Sequence, residues 1–189
     1  MVAKAQDLKL EHIDKILAIV ENRLDKKTAA DAINFVRLFY ERPAPEDLIG
    51  IAPEHLYGSA VSLYKFASQR TPGKTKLRVF TPDLEEHGWK TTHSVIEIVN
   101  DDMPFLVDSV TAALNRRGLT VHQVIHPVVY TERDADGNRV QTYAGEPKDK
   151  KKAIRESIMH FEIDEQSDPK VLQEIEKSLQ ETLDDVRIS

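Results

Sequence analysis

Residues 93–126 read HSVIEIVNDDMPFLVDSVTAALNRRGLTVHQVIH, and this stretch decides the fold. Val95 to Val99 is a β-branched run broken only by Glu97, which predicts a strand buried mainly on one face. Asn100, Asp101 and Asp102 end it. Pro104 fits the first turn of a helix, where its missing N–H costs nothing. Leu106, Val110, Ala113 and Leu114 recur at helical spacing and make one apolar stripe. Asp101 and Asp102 lie near the positive end of that helix, and Arg116 and Arg117 near its negative end. Gly118 stands where a left-handed C-terminal cap is wanted. Leu119 to Tyr130 then reads as one long strand, completing a βαβ unit.

Before this unit the pattern is helical. In residues 7–25, Ile13, Ile16, Leu17, Val20 and Leu24 share a face. Thr28, with Asp31 three places on, resembles a capping box for a second helix carrying Ile33, Val36 and Tyr40, which Pro43 stops. Pro45 and Pro53 can each open a further helix, the second with Leu56, Ala60, Leu63 and Ala67 inward. This part is small for a core of its own, so it is expected to pack on the rest of the chain. Thr71 to Lys74 marks a turn, and Leu77 to Phe80 a short strand ended by Pro82. Trp89, the only tryptophan, is expected to anchor packing.

After the unit, Asp134 to Asn138 is a strong turn signal, so Arg139 to Tyr143 can pair back as a hairpin arm. Residues 145–156 are mostly charged and read as a loop. Ile158 to Ile163 is another strand. Asp168 caps a last helix with Pro169 at its first position, and Leu172, Ile175, Leu179, Leu183 and Val186 point inward. The predicted class is α+β. A helical subdomain over 1–72 precedes a domain over 73–189 built as an antiparallel, ferredoxin-like sheet with helices on one face. No closing fourth strand follows the last helix, and 77–80 is available as a rearranged edge.

Composition narrows the function. The 189 residues are 40% hydrophobic and 31% charged, with net charge −6 and no cysteine. The acidic balance argues against nucleic-acid binding. The missing cysteines exclude disulfide scaffolds and thiolate chemistry and fit a cytoplasmic location. No apolar run reaches membrane-spanning length, so no membrane partner is expected. There is no G-x-G-x-x-G fingerprint, and Gly73-Lys74-Thr75 lacks the earlier glycine of a phosphate loop, which leaves a solvated linker. His122 and His126 have a spacing that serves a metal on a helix, but on a strand it separates them by roughly 13 Å. Asp101, Asp102 and Asp108 are read as a turn and a complemented helix dipole rather than a cation site. The lysine run at 148 and 150–152 reads as a solvated loop. No catalytic, cofactor-binding or metal-binding residue is assigned in this segment.

Two motifs carry a resemblance. Asp102-Met103-Pro104-Phe105-Leu106-Val107 follows D-x-P-x-L-V between a strand and a helix, and resembles the start of ACT domains, small ferredoxin-like regulatory modules that commonly bind amino acids. The longer stretch from Leu77 to Val129, with ESIMHFEID at 156–164, is similar to the N-terminal region of the large bacterial NAD-specific glutamate dehydrogenases. HGW (87–89), MPFLVDSV (103–110) and NRRG (115–118) carry most of that similarity. The resemblance implies a segment cut before the catalytic part of an NAD-dependent enzyme of amino-acid catabolism, which oxidatively deaminates L-glutamate to 2-oxoglutarate and ammonia. Many amino-acid-binding ACT modules have glycine after the proline. Here that position is Phe105, whose ring would obstruct close approach of a ligand.

Two functions are expected on these grounds. The first is a regulatory and assembly segment that packs through sheet edges and helix faces on other domains or subunits of the same homo-oligomeric enzyme. The second is an amino-acid sensor. Its effector would sit at Asn100, Asp101, Asp102, Met103 and Pro104, with helix-start N–H groups on its carboxylate and an aspartate on its ammonium.

Overall fold

A computed structural model, describing residues 2–189, has helices α1 (Val2–Arg23), α2 (Lys26–Phe39), α3 (Pro45–Ile49) and α4 (Pro53–Phe66) before the first strand. Then come β1 (Lys76–Phe80), β2 (Ser94–Asp101), α5 (Leu106–Arg116), β3 (Val121–Ile125), β4 (Val128–Arg133), β5 (Arg139–Tyr143), β6 (Ile154–Ile163) and α6 (Pro169–Ile188). Pro45 and Pro53 each open a helix, and Asp168 caps α6 by accepting from the Lys170 amide. The cap of α2 is Asp25, which accepts from Thr28 N, so Thr28 lies inside the first turn and is not the cap.

All strand pairings are antiparallel, in the order β1-β2-β6-β4-β5, with β3 also beside β6. β3 and β4 line up end to end along β6, one reaching Ile163 and the other Ile154. The expected long strand is therefore broken at His126-Pro127. Proline has no N–H to give the ladder, and its carbonyl instead accepts from Ile158 N at 3.0 Å. β1 lies against β2 at the place where a ferredoxin-like sheet carries its closing strand. That place is taken by a strand that precedes the βαβ unit.

Alternation along β2 and β6 separates two cores. Ile96, Ile98, Met159, Phe161 and Ile163 face α5 and α6, together with Leu106, Val110, Leu114, Ile175, Leu179 and Leu183. Val99, Ile125, Val129 and Ile158 face the other way, onto α1, α2 and α4. The helices of the C-terminal part do occupy one face, and the N-terminal helices cover the opposite one. β2 is consequently buried on both faces, not mainly on one. Glu97 interrupts the β-branched run because it faces the helical layer, where Arg78 pairs with it and Ser62 Oγ donates to it.

Each outer strand has edge groups bonded by helix side chains. On β5, Thr142 N donates to Asp31 at 2.5 Å and its carbonyl accepts from Asn34 at 3.0 Å. On β1, Val79 N donates to Glu176 of α6 at 3.3 Å. Edge groups satisfied in this way are poor templates for an added strand.

Candidate functional site

The turn after β2 is shaped by three side chains with different partners. Asn100 is fully buried on the α5–α6 side. Its Oδ1 accepts from Thr75 at 2.9 Å and from the Arg187 guanidinium. Asp101, on the other side of the strand, accepts from Arg70 at 2.7 Å and from Arg187 at 2.9 Å. Asp102 accepts from Ser157 Oγ at 2.7 Å and pairs with Arg155 at 3.1 Å. Burial works against ionisation of Asp101, but the hydrogen bonds and charges of Arg187 and Arg70 hold its carboxyl below the usual carboxylate range. Met103 packs against the α5–α6 core. Both turn carboxylates are thus already matched by cations of the chain itself.

Helix α5 begins at Leu106, later than a proline in its first turn would require; Pro104 precedes the N-cap. The N-cap is Phe105, in the left-handed region at φ 67° and 74% exposed. It is the only non-glycine residue with positive φ among the described residues. Its side chain offers no capping group, and its carbonyl accepts from Ser109 N at 2.9 Å. The far end of the helix is conventional. Gly118 has φ 73°, Leu119 N donates to Leu114 O at 3.1 Å, and Gly118 N donates to Asn115 O at 2.9 Å. This pair of bonds is a Schellman motif.

Asp101 belongs to a larger buried polar network. Glu156 of β6 is fully buried between Arg70, at 2.5 Å, and Arg133 of β4, at 3.0 Å. Arg133 also donates to the carbonyls of Ala67 and Gly137, both at 2.8 Å, and Arg70 donates to that of Lys74 at 2.8 Å. Through Arg187 the network reaches the last turn of α6. The end of α4, the 70–75 linker, three strands and α6 therefore meet at one charged node beside the candidate turn. Sequence reasoning does not find Arg70, Arg133, Glu156 or Arg187. It places Arg155 and Glu156 in a loop, yet β6 starts at Ile154 and the two residues are paired within it. The available signal is an unbalanced acid at the head of an apolar run.

The histidine pair does not converge. His122 sits at a β-bulge, bonds Asp164 at 2.7 Å and stacks on His93 with ring centroids 4.3 Å apart. His126 is partly buried, which pushes its pKa down, and its Nε2 has no partner. Among the described residues, the one group of acids and histidines close enough to share a metal is Asp83, Glu86 and His87. These residues form an exposed turn held by its own amides, Asp83 N to His87 Nδ1 and Glu86 N to Asp83 Oδ1. No helix among the described residues is long and apolar enough to cross a membrane.

A split βαβ unit on an antiparallel sheet, with an acidic proline-containing turn leading into its first helix, defines an ACT-like α+β module. Sequence comparison agrees. The family described as "Glutamate dehydrogenase, ACT1 domain" matches residues 35–179, and the chain belongs to it. It is 41% identical over 182 residues to an NAD-specific glutamate dehydrogenase of Halomonas elongata, covering 96% of this chain and 11% of that protein. It is 31% identical over 166 residues to the enzyme of the same name from Pseudomonas aeruginosa, covering 88% of this chain and 10% of the relative. A bifunctional uridylyltransferase/uridylyl-removing enzyme of Nitrobacter hamburgensis is 27% identical over 127 residues, or 62% of this chain and 14% of its own length. The chain thus spans about a tenth of the length of the dehydrogenases it matches.

Proposed function

We propose that this chain is the N-terminal regulatory and assembly segment of a large NAD-dependent glutamate dehydrogenase. The parent enzyme oxidatively deaminates L-glutamate to 2-oxoglutarate and ammonia in the cytoplasm. On this reading the catalytic and NAD-binding parts lie in the remaining nine-tenths, and this segment contacts other domains or another subunit of a homo-oligomer. The similarity to part of a uridylyltransferase, an enzyme of different chemistry, fits a module that accompanies more than one kind of catalytic part.

The state of the 100–105 turn carries the assembly reading. Asp101 and Asp102 are paired internally, while Phe105 holds a large apolar ring in solvent on a strained backbone. Strain kept beside an exposed aromatic is understandable where the ring is covered in the larger protein. Helix faces, the remaining sheet-edge groups and this turn are the contacts on offer. An amino-acid sensor at the turn would instead need a carboxylate free to meet an ammonium.

The test is removal of residues 1–189 from the full-length dehydrogenase, followed by light scattering on a sizing column and thermal unfolding. A smaller assembly or an earlier melt is expected. Unchanged size and stability would refute an assembly role. An amino-acid response of the full-length enzyme, lost in the Asp101→Ala/Asp102→Ala double variant, would favour sensing at the turn.

A further inference from the structure

A cavity of ≈ 650 Å³ lies where the two parts of the chain meet, away from the 100–105 turn. One wall is the end of α3 and the start of α4, another is the β1–β2 loop, and the floor is the helix-facing side of β3 and β6. Its volume is in the range of small-molecule sites. Ile51, Leu56, Ile125 and Trp89 give it an apolar interior, and Glu162 places a carboxylate in it.

Two features mark its lining. Trp89 is only 3% exposed, yet its indole Nε1 has no hydrogen-bond partner. Such a buried donor ordinarily finds an acceptor. Gly58 of α4 lets the loop come this close, because a Cβ there would collide with the Cβ of Trp89. Second, the Glu162 carboxylate, its side chain 14% exposed, has no lysine or arginine within 4 Å among the described residues. Its charged neighbours are imidazoles, His93 Nδ1 at 3.7 Å and His160 Nε2 at 3.8 Å, both beyond hydrogen-bond length. Lys90 and His55 line the cavity from the loop and from α4. Tyr40, the C-cap of α2, is already committed to the Leu56 carbonyl at 2.7 Å. Glu162, His93 and His160 do not close on a common point as metal ligands would.

We propose that this cavity binds a small primary amine with an apolar body, its ammonium received by Glu162 and its alkyl or aryl part by the apolar walls that include the Trp89 side chain. A carboxylate facing apolar walls is complementary to an ammonium, and a charge-assisted hydrogen bond there is stronger than a neutral one. The apolar walls reward an alkyl or aryl substituent. Amino alcohols and amino acids share this chemistry. They differ in whether the second group adds a negative charge for Lys90. The proposal is independent of the assembly role, since it concerns a different surface and can be tested on this chain alone.

Trp89 is the sole tryptophan, so its emission reports on the cavity directly. The 189-residue chain is titrated with L-phenylalaninol, with L-phenylalanine and with 3-phenylpropionate, following Trp89 fluorescence and melting temperature together. A saturable response to at least one of the two amines, with none to 3-phenylpropionate, is expected; their relative affinities distinguish an amino alcohol from an amino acid. Glu162→Gln should weaken binding about tenfold or more. Ala52→Phe, which puts a ring into the cavity from another lining position, should weaken it similarly and covers the case in which the Glu162 variant fails to fold. Absence of any saturable response, equal response to 3-phenylpropionate, or binding unaffected by either variant would overturn the proposal.

Discussion

Phe105 is the residue whose conformation says most about the molecule. A side chain beyond glycine in the left-handed region costs roughly 1–2 kcal/mol. Substituting glycine removes that strain but adds unfolded-chain entropy of about 0.5–1 kcal/mol. Phe105→Gly should therefore leave the isolated chain as stable or up to about 1 kcal/mol more so, a rise of roughly 2–4 °C in Tm at this size. If the proposed assembly role holds, the same change should give a smaller assembly of the full-length protein on a sizing column. A marked loss of stability in the isolated chain would show that the ring is needed within this segment. Asp101 makes a pH prediction. Its folded pKa lies below the ordinary value because of Arg187 and Arg70, with burial opposing. Its stabilisation is then complete above the unfolded value of about 4 and disappears as pH falls through the depressed folded value. Asp101→Asn should cost on the order of 1 kcal/mol at pH 7, discounted for its partial exposure. Urea midpoints should converge on wild type as the medium becomes strongly acidic. A gap that persisted there would mean that the carboxylate charge is not the source.

Among the elements, β6 joins the most. It pairs with β2 on one side and with β3 and β4 on the other. The positions facing the N-terminal helices carry Glu156, Ile158, His160 and Glu162, while the other face carries Met159, Phe161 and Ile163. Glu156 is the node of the charged network. Removing its carboxylate leaves Arg70 and Arg133 buried without their shared partner. Loss of one member of a buried ion pair costs roughly 3–5 kcal/mol, so Glu156→Ala should lower the urea midpoint more than any single exposed substitution. A shift below about 1 kcal/mol would show that water reaches the two guanidinium groups and solvates them. The other end of this coupling is the 70–75 linker, whose Arg70 and Thr75 side chains reach Asp101 and Asn100. The segment between the two parts is thus held to the turn rather than free.

The whole molecule is a three-layer arrangement in which one sheet serves two cores. We infer that residues 73–189 depend on the helices of 1–72 for cover. Without them Val99, Ile125, Val129 and Ile158 would meet water, together with Glu97, His160 and Glu162. Expressed alone, 73–189 should aggregate or bind a hydrophobic dye, whereas residues 1–189 unfold cooperatively; apolar patches of that kind are rarely left open on monomers. A monomeric 73–189 fragment melting with the stability of the whole chain would sink this dependence.

Much of this is legible in the sequence, because local physics is at work. The apolar stripes of α2, α4, α5 and α6, the prolines at three helix starts, Gly118 and the Asp134–Asn138 turn each follow from backbone preference and short-range periodicity. The family is legible too, as a resemblance carried by HGW, MPFLVDSV and NRRG. Other features need neighbours distant in the chain. Glu97 and Glu156 look like solvent residues until Arg78, Arg70 and Arg133 arrive from elsewhere in the sequence. The role of β1 as closing strand is invisible until it lies beside β2. Phe105 reads only as a ring that would obstruct a ligand, and its left-handed backbone stays hidden until the structure shows φ 67°. The cavity lined by Trp89 and Glu162 exists only because two loops and a sheet face converge. Sequence by itself determined the helices and the approximate place of most strands, because their caps, turns and apolar periodicity lie within a few residues of one another. Tertiary structure decided the charged node, the strained turn and the cavity, because the energy of a buried charge depends on partners that only folding brings together.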